Sequence, residues 1–201
     1  TRLPLGVKMS TYFNILTFAL LFILGVYLTL VSVTVIFFIS ISFENISLYY
    51  FILDYVNNID RFTVLSYLAS AILSLLWLYK AHKNIEKKGI KDLNFSNKAC
   101  VYWWFVPIWG FWKPYFVVKE IYLASKYANN WKDKSALFII IWWCIFLITM
   151  VLSRIVDKMP IPSMELLYSY VFIQGILTIL YIKIVYSIYK FQSRISLAKN
   201  V

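Results

Sequence analysis

Apolar residues fall along this chain in long runs, with the polar residues gathered between them. The first run, Phe13 to Ile41, holds no charge at all. Others run from Phe62 to Tyr79, from Ala136 to Ser153 and from Leu166 to Ile188, the last with a single charge, Lys183. A helix rises ~1.5 Å per residue, so the ~30 Å hydrocarbon layer takes roughly 20 apolar residues to cross. These four runs (about 13–41, 62–79, 136–153 and 166–188) read as membrane-spanning helices of one integral membrane domain over 1–201.

A fifth apolar stretch, Ala99 to Phe116, differs in kind. It is interrupted by Pro107, Gly110 and Pro114, and it holds four of the chain's 8 Trp between Trp103 and Trp112. Trp favours the headgroup level of a bilayer, and proline removes a backbone donor and ends or kinks a helix. A broken segment at membrane depth must be sheltered by protein, because lipid cannot satisfy its free backbone groups. The stretch is expected to be re-entrant or interfacial and to pack on the other helices.

Pro114 suits the first turn of a new helix. Val117, Val118, Ile121, Ala124 and Ala128 then share one face at helical spacing, while Lys119, Glu120 and Lys126 take the other. That pattern predicts an amphipathic helix over 114–128 in the cytoplasmic interface, ended by Asn129-Asn130. The expected fold is all-α: a polytopic bundle of four spans, one Pro/Trp-rich re-entrant or interfacial segment and one interfacial helix.

Composition agrees. The chain is 62% hydrophobic and 14% charged, against about 25% charged in soluble domains, and its mean hydropathy is +0.73. A soluble protein this apolar could not cover its surface with polar groups. The first run far exceeds the roughly 7–15-residue core of a cleavable leader and lacks an A-x-A end, so it is expected to remain a helix. Met9 is a candidate start.

Charge then orients the bundle. Residues 80–98 carry +4, 113–134 carry +3, 183–201 carry +4 and 1–12 carry +2, whereas 42–61 carry −2 and 154–166 carry 0. Lys and Arg stay on the cytoplasmic side. Both termini and the two central basic regions are therefore expected inside, which puts 17 of the 20 basic residues there. The 99–116 stretch must then enter and leave on one side. The net charge of +11 is read as loop lysine facing anionic lipid headgroups, not as a nucleic-acid footprint.

Ser66, Ser70 and Ser74 recur at i, i+4, i+8 in the second span, where small residues let helices approach closely. A polar pore lining is the sharper alternative. Gln174, mid-span in the last helix, is expected to hydrogen-bond a neighbouring helix. Lys183 should snorkel to the interface. Glu44, Asp54 and Asp60 are read as loop acids that keep their loop outside.

Candidate chemistry is sparse. Cys100 and Cys144 form no C-x-x-C pair and are expected to be free thiols. The one histidine, His82, lies in the basic 80–98 region and reads as a solvated side chain that cannot anchor a His-rich metal site. No hydrolase, zinc-protease or P-loop motif occurs, and no carboxylate pair sits in a span. No catalytic residue, metal or cofactor is expected.

From Trp77 the chain reads W-L-Y-K-A-H-K-N, then a basic linker, then from Trp103 W-W-F-V-P-I-W-G-F-W-K-P-Y-F-V-V-K-E-I-Y-L-A-S. This resembles the bacterial membrane family known as domain of unknown function 4328. That resemblance implies a functional motif at Lys83 and Asn84, at Phe105, Pro107, Trp112, Pro114 and Tyr115, and at Lys119, Glu120 and Ser125. Gln192 matches a glutamine after the last helix. The chain departs from the pattern with Lys where the family has Arg, and with Gly110 where it has a larger or polar residue. A bidentate arginine contact is therefore not carried over. The resemblance adds no reaction, but it makes the third segment the expected functional heart, in a bacterial cytoplasmic membrane.

Three functional readings follow, in this order. The first is a non-enzymatic accessory or interaction subunit of a membrane assembly or homo-oligomer. The second is a small channel or transporter, whose path would pass Ser66, Ser70, Ser74 and Gln174. The third is a lipid-active enzyme, with Lys83, Asn84, Tyr115 and Glu120 facing headgroups.

Overall fold

The structure, a computed structural model, describes residues 10–42, 50, 53, 55–128, 130–160 and 163–197. Arg2, Lys8, Met9, Glu44, Asp54, Asn129 and Lys199, which entered the reading above, lie outside the described residues. In chain order the elements are α1 (Thr11–Ser42), α2 (Val56–Lys87), α3 (Ala99–Tyr102), a 3-10 turn (Trp109–Phe111), α4 (Lys113–Tyr127), α5 (Leu137–Lys158) and α6 (Met164–Leu197). The described residues contain no strand. α1, α2, α5 and α6 are each long and apolar enough to cross a membrane, and the chain is a multi-pass helical membrane protein.

The apolar runs prove to be the middles of longer helices. α2 has 32 residues and α6 has 34, or about 48 and 51 Å at ~1.5 Å per residue, well beyond the hydrocarbon layer. Their extra turns are polar in sequence but not in environment: Ala81, His82 and Ile85 of α2 and Ile188 and Gln192 of α6 are all buried. The reason is α4, which packs across this end of the bundle against α2, α5 and α6.

The packed core lies toward that end. α1 contributes Phe13, Leu16, Leu20 and Leu24, α2 contributes Trp77, Leu78, Ala81 and Ile85, and α6 contributes Ile184, Val185 and Ile188. Each set is one helical stripe at i, i+3/i+4, i+7. Trp77 stacks on Phe13 and donates its indole N–H to Thr17 Oγ1 at 2.9 Å, while Thr17 donates to Phe13 O.

Ser66 and Ser70 are buried, and their hydroxyls donate to the carbonyls of Thr63 and Tyr67 in their own helix. Ser74 is half-buried. Gln174 makes the expected interhelical bond, accepting from Tyr27 of α1 at 3.0 Å. Lys183 is exposed, with its ammonium 4.8 Å from the Phe138 ring centroid.

Candidate functional site

The segment between α2 and α4 is shaped by how α2 ends. Gly89 takes φ 76°, a left-handed conformation that glycine adopts without a Cβ clash. Gly89 N–H donates to Glu86 O and Ile90 N–H to Ile85 O, the two bonds of a Schellman motif. Ile85 and Ile90 are both buried in the core, which supplies that motif's usual apolar contact. The chain is thereby turned back over α4.

This places Glu120 at the centre of a buried polar cluster. The side chain is 2% exposed. Its Oε2 accepts the backbone N–H of Asn94 at 2.7 Å and the Asn94 side-chain amide at 2.8 Å. Its Oε1 accepts the Phe95 backbone N–H at 3.3 Å and faces His82 Nε2 at 3.2 Å. Four hydrogen-bonding groups converge on one carboxylate.

His82 is held from both sides. Its Nδ1 lies 2.8 Å from Asn97 Oδ1. The orientation of Asn97 is set by its other end, since Nδ2 donates to Glu86 Oε2 at 2.6 Å. Both ring nitrogens thus face oxygen atoms, an arrangement that a doubly protonated ring would satisfy. His82 and Glu120 form a buried ion pair whose outer bonds are also satisfied, the condition under which such a pair can be tolerated.

One turn further along, Gln192 ties three helices together. Its Nε2 donates to Ala81 O at 3.1 Å and to Ser125 Oγ at 3.0 Å, so both amide hydrogens are used. Its Oε1 accepts from Asn84 Nδ2 at 3.4 Å. Lys88, at the end of α2, reaches across to donate its ammonium to the Gln192 carbonyl.

The third segment makes two breaks. α3 stops at Tyr102, and the chain turns sharply at Ile108, where Trp109 N–H donates to Pro107 O at 2.7 Å. This is a γ-turn with Ile108 at φ 67°, ψ −60°, a strained conformation for a β-branched residue. The segment is pinned to the bundle from α5: Trp143 donates its N–H to Phe111 O at 3.0 Å, and its ring meets Trp104 edge-on. A Cβ at Gly110 would lie 3.5 Å from Trp103 O, an ordinary contact, so a larger residue would fit there.

The expected motif therefore divides. Asn84, Ser125 and Gln192 come together at the α2–α4–α6 junction, Glu120 lies between α4 and α2, and Pro114 is buried at the start of α4. Phe105, Pro107 and Trp112 are exposed on the turn, Phe105 by 68%. Lys83, Tyr115 and Lys119 are half-buried at the edges.

Two expectations are corrected. His82 is not solvated but 1% exposed, because positions 78, 81, 82 and 85 form one inward stripe of α2. Glu120 is not on the outer face of α4, because it lies three residues from both Val117 and Leu123 in that helix's buried stripe. His82, Asn94 and Asn97 were missed; the helical spacing of His82 from Leu78 and Ile85 was the available signal.

Cys100 and Cys144 are free thiols, Cys100 buried and Cys144 exposed. Burial, then the nearby Glu120 charge, push the Cys100 thiol up to about 12. Among the described residues no cluster of three or more His, Cys, Asp or Glu could hold a metal ion.

Among known proteins, the family described as "Domain of unknown function (DUF4328)" matches residues 55–187. That span runs from the start of α2 into α6 and includes the ion pair and the Trp/Pro turn. No curated protein and no solved structure matches.

Proposed function

Because the chain belongs to the DUF4328 family, whose description carries no activity, we propose from its geometry that it is a non-enzymatic accessory or interaction subunit. It would serve a membrane assembly or a homo-oligomer in a bacterial cytoplasmic membrane, with both termini in the cytoplasm. One observation carries this reading: the polar cluster spends its hydrogen-bonding groups on itself. A general acid or base needs an atom within hydrogen-bond reach of a substrate. Glu120 and His82 instead present their polar atoms to Asn94, Phe95, Asn97 and each other. Such a cluster clamps α2, α4 and α6 in a fixed relation.

What the clamp holds in place is the Trp/Pro turn. Phe105, Ile108 and Phe111 are each more than half exposed, and large exposed apolar side chains on one turn are of the kind that meet lipid or another membrane protein. A channel draws less support, since the Ser66 and Ser70 hydroxyls are taken up by carbonyls of their own helix and Gln174 by Tyr27. A lipid-active enzyme also draws less, since the Glu120 carboxylate oxygens are already engaged by Asn94, Phe95 and His82.

The reading is tested on protein extracted into native-lipid polymer discs. Single cysteines are placed at Phe105 and Trp112 in a Cys144→Ser background. Crosslinked dimers of this chain, or a stoichiometric second subunit in intact-mass measurements, are expected. A monomer at every concentration, with no crosslink, overturns it.

A further inference from the structure

A cavity of about 400 Å³ opens between the face of α4 and the loops on either side of it. Four lysines line it, Lys113, Lys119, Lys132 and Lys134, against one acid, Glu120. The Glu120 carboxylate is already engaged, by His82 Nε2 at 3.2 Å and by two backbone N–H groups. The lysines are not. The ion pair of His82 with Glu120 is the only one among the described residues, and the four ammonium groups rest on aromatic rings instead. Lys113 lies 5.2 Å from the Trp103 centroid, Lys119 5.8 Å from Tyr115, Lys132 5.7 Å from Trp131 and Lys134 5.8 Å from Tyr127. Asp133 lies between two of them in sequence but does not line the cavity.

Four cations around one hollow repel one another, and at physiological salt charges closer than about 8 Å are only partly screened. An anion with several acceptor oxygens relieves that repulsion best. Lysine engages phosphate as a point charge with rotatable donors. The volume lies within the roughly 300–1,000 Å³ of small-ligand sites, and Phe95, Phe116 and Trp131 give part of the wall an apolar character. α4 packs across the bundle end where α2 and α6 outrun their apolar stretches.

We propose that this cavity binds a phosphate group, carried by an anionic phospholipid headgroup or by a soluble phosphate ester. The inference is independent of whether the chain assembles with a partner.

Native mass spectrometry in detergent, titrating phosphatidylglycerol against phosphatidylcholine, provides the test. The variant Lys119→Gln/Lys132→Gln/Lys134→Gln is compared with Lys87→Gln/Lys91→Gln/Lys98→Gln, which removes equal charge from exposed positions outside the cavity. The cavity variant is expected to lose phosphatidylglycerol binding at least about tenfold more than the control, the equivalent of ~1.4 kcal/mol. Lys132→Gln alone, at an exposed loop position, should show part of the loss should the triple variant misfold. Displacement of the lipid by millimolar glycerol 3-phosphate supports the site and assigns it to soluble phosphate, while resistance to it assigns the site to lipid. Equal losses in both variants, or no preference over phosphatidylcholine, overturn the proposal.

Discussion

The carboxylate of Glu120 on α4 lies 3.2 Å from the imidazole of His82 on α2, and both side chains are 2% exposed. The residues are 38 apart in sequence, so the pair closes a loop that includes the whole Trp/Pro segment. Removing one partner of a buried ion pair costs about 3–5 kcal/mol, because the other is left uncompensated. Glu120→Ala should approach that range, since it also strands the N–H groups of Asn94 and Phe95. His82→Ala should cost less, since Glu120 keeps three of its four donors. Chemical unfolding in detergent of both single variants and the double variant should give a coupling energy of about 0.5–3 kcal/mol; simple additivity would dismiss the pair as a unit.

The protonation of His82 can be read directly, because it is the chain's one histidine. With Asn97 Oδ1 on one side and Glu120 Oε1 on the other, the ring should show two protonated nitrogens by ¹⁵N NMR at neutral pH. Glu120→Gln should restore a neutral tautomer. A neutral ring in the unaltered protein would mean that Asn97 or Glu120 is placed differently.

Two tryptophans separate hydrogen bonding from packing. Trp77 donates to Thr17, whereas the buried indole N–H of Trp142 has no partner among the described residues. Phenylalanine removes similar volume at either site, but only at Trp77 does it remove a bond. Trp77→Phe should be the more destabilising by roughly 1 kcal/mol, measured by thermal unfolding in matched detergent.

Cys100 should resist alkylation. It is fully buried, and with its thiol held up to about 12 almost none is thiolate at pH 8, the reactive form. In a Cys144→Ser background, maleimide should label Cys100 only after denaturation. Rapid labelling of the folded protein would show that α3 does not seal this position.

The orientation of the bundle is open to a simple measurement. A reporter fused after Asn130 should be active on the cytoplasmic side, as should one at the C-terminus. A periplasmic signal after Asn130 would mean that the 99–116 segment traverses the bilayer and that lysine placement does not govern this chain.

Much of the architecture was legible because lipid imposes coarse rules. Long uncharged runs must be helices, and a stretch broken by Pro107 and Pro114 cannot be a simple span, so the four helices and the interrupted segment followed directly. Gln174 was legible for the same reason, as a mid-span amide needs a partner helix. The polar junction was harder. Lys80, His82 and Lys83 read as a solvated loop because charge marks the membrane boundary well but marks the end of a helix poorly. Glu120 read as an outer-face residue because amphipathic patterning assigns carboxylates outward, and nothing local announces a carboxylate whose four donors come from α2 and the loop after it. Asn94 and Asn97 carry no periodic signal at all; their roles exist only once Gly89 turns the chain.

The Gln192 contacts also bear on the order of assembly. Gln192 closes on Ala81, 111 residues earlier, and on Ser125, 67 residues earlier. A ribosome delivers it long after those partners have emerged. Until then the Ala81 carbonyl and the Ser125 hydroxyl lack the Gln192 amide. Insertion of the spans and locking of their overhanging ends are thus separate events in time, and the second awaits the final turns of α6.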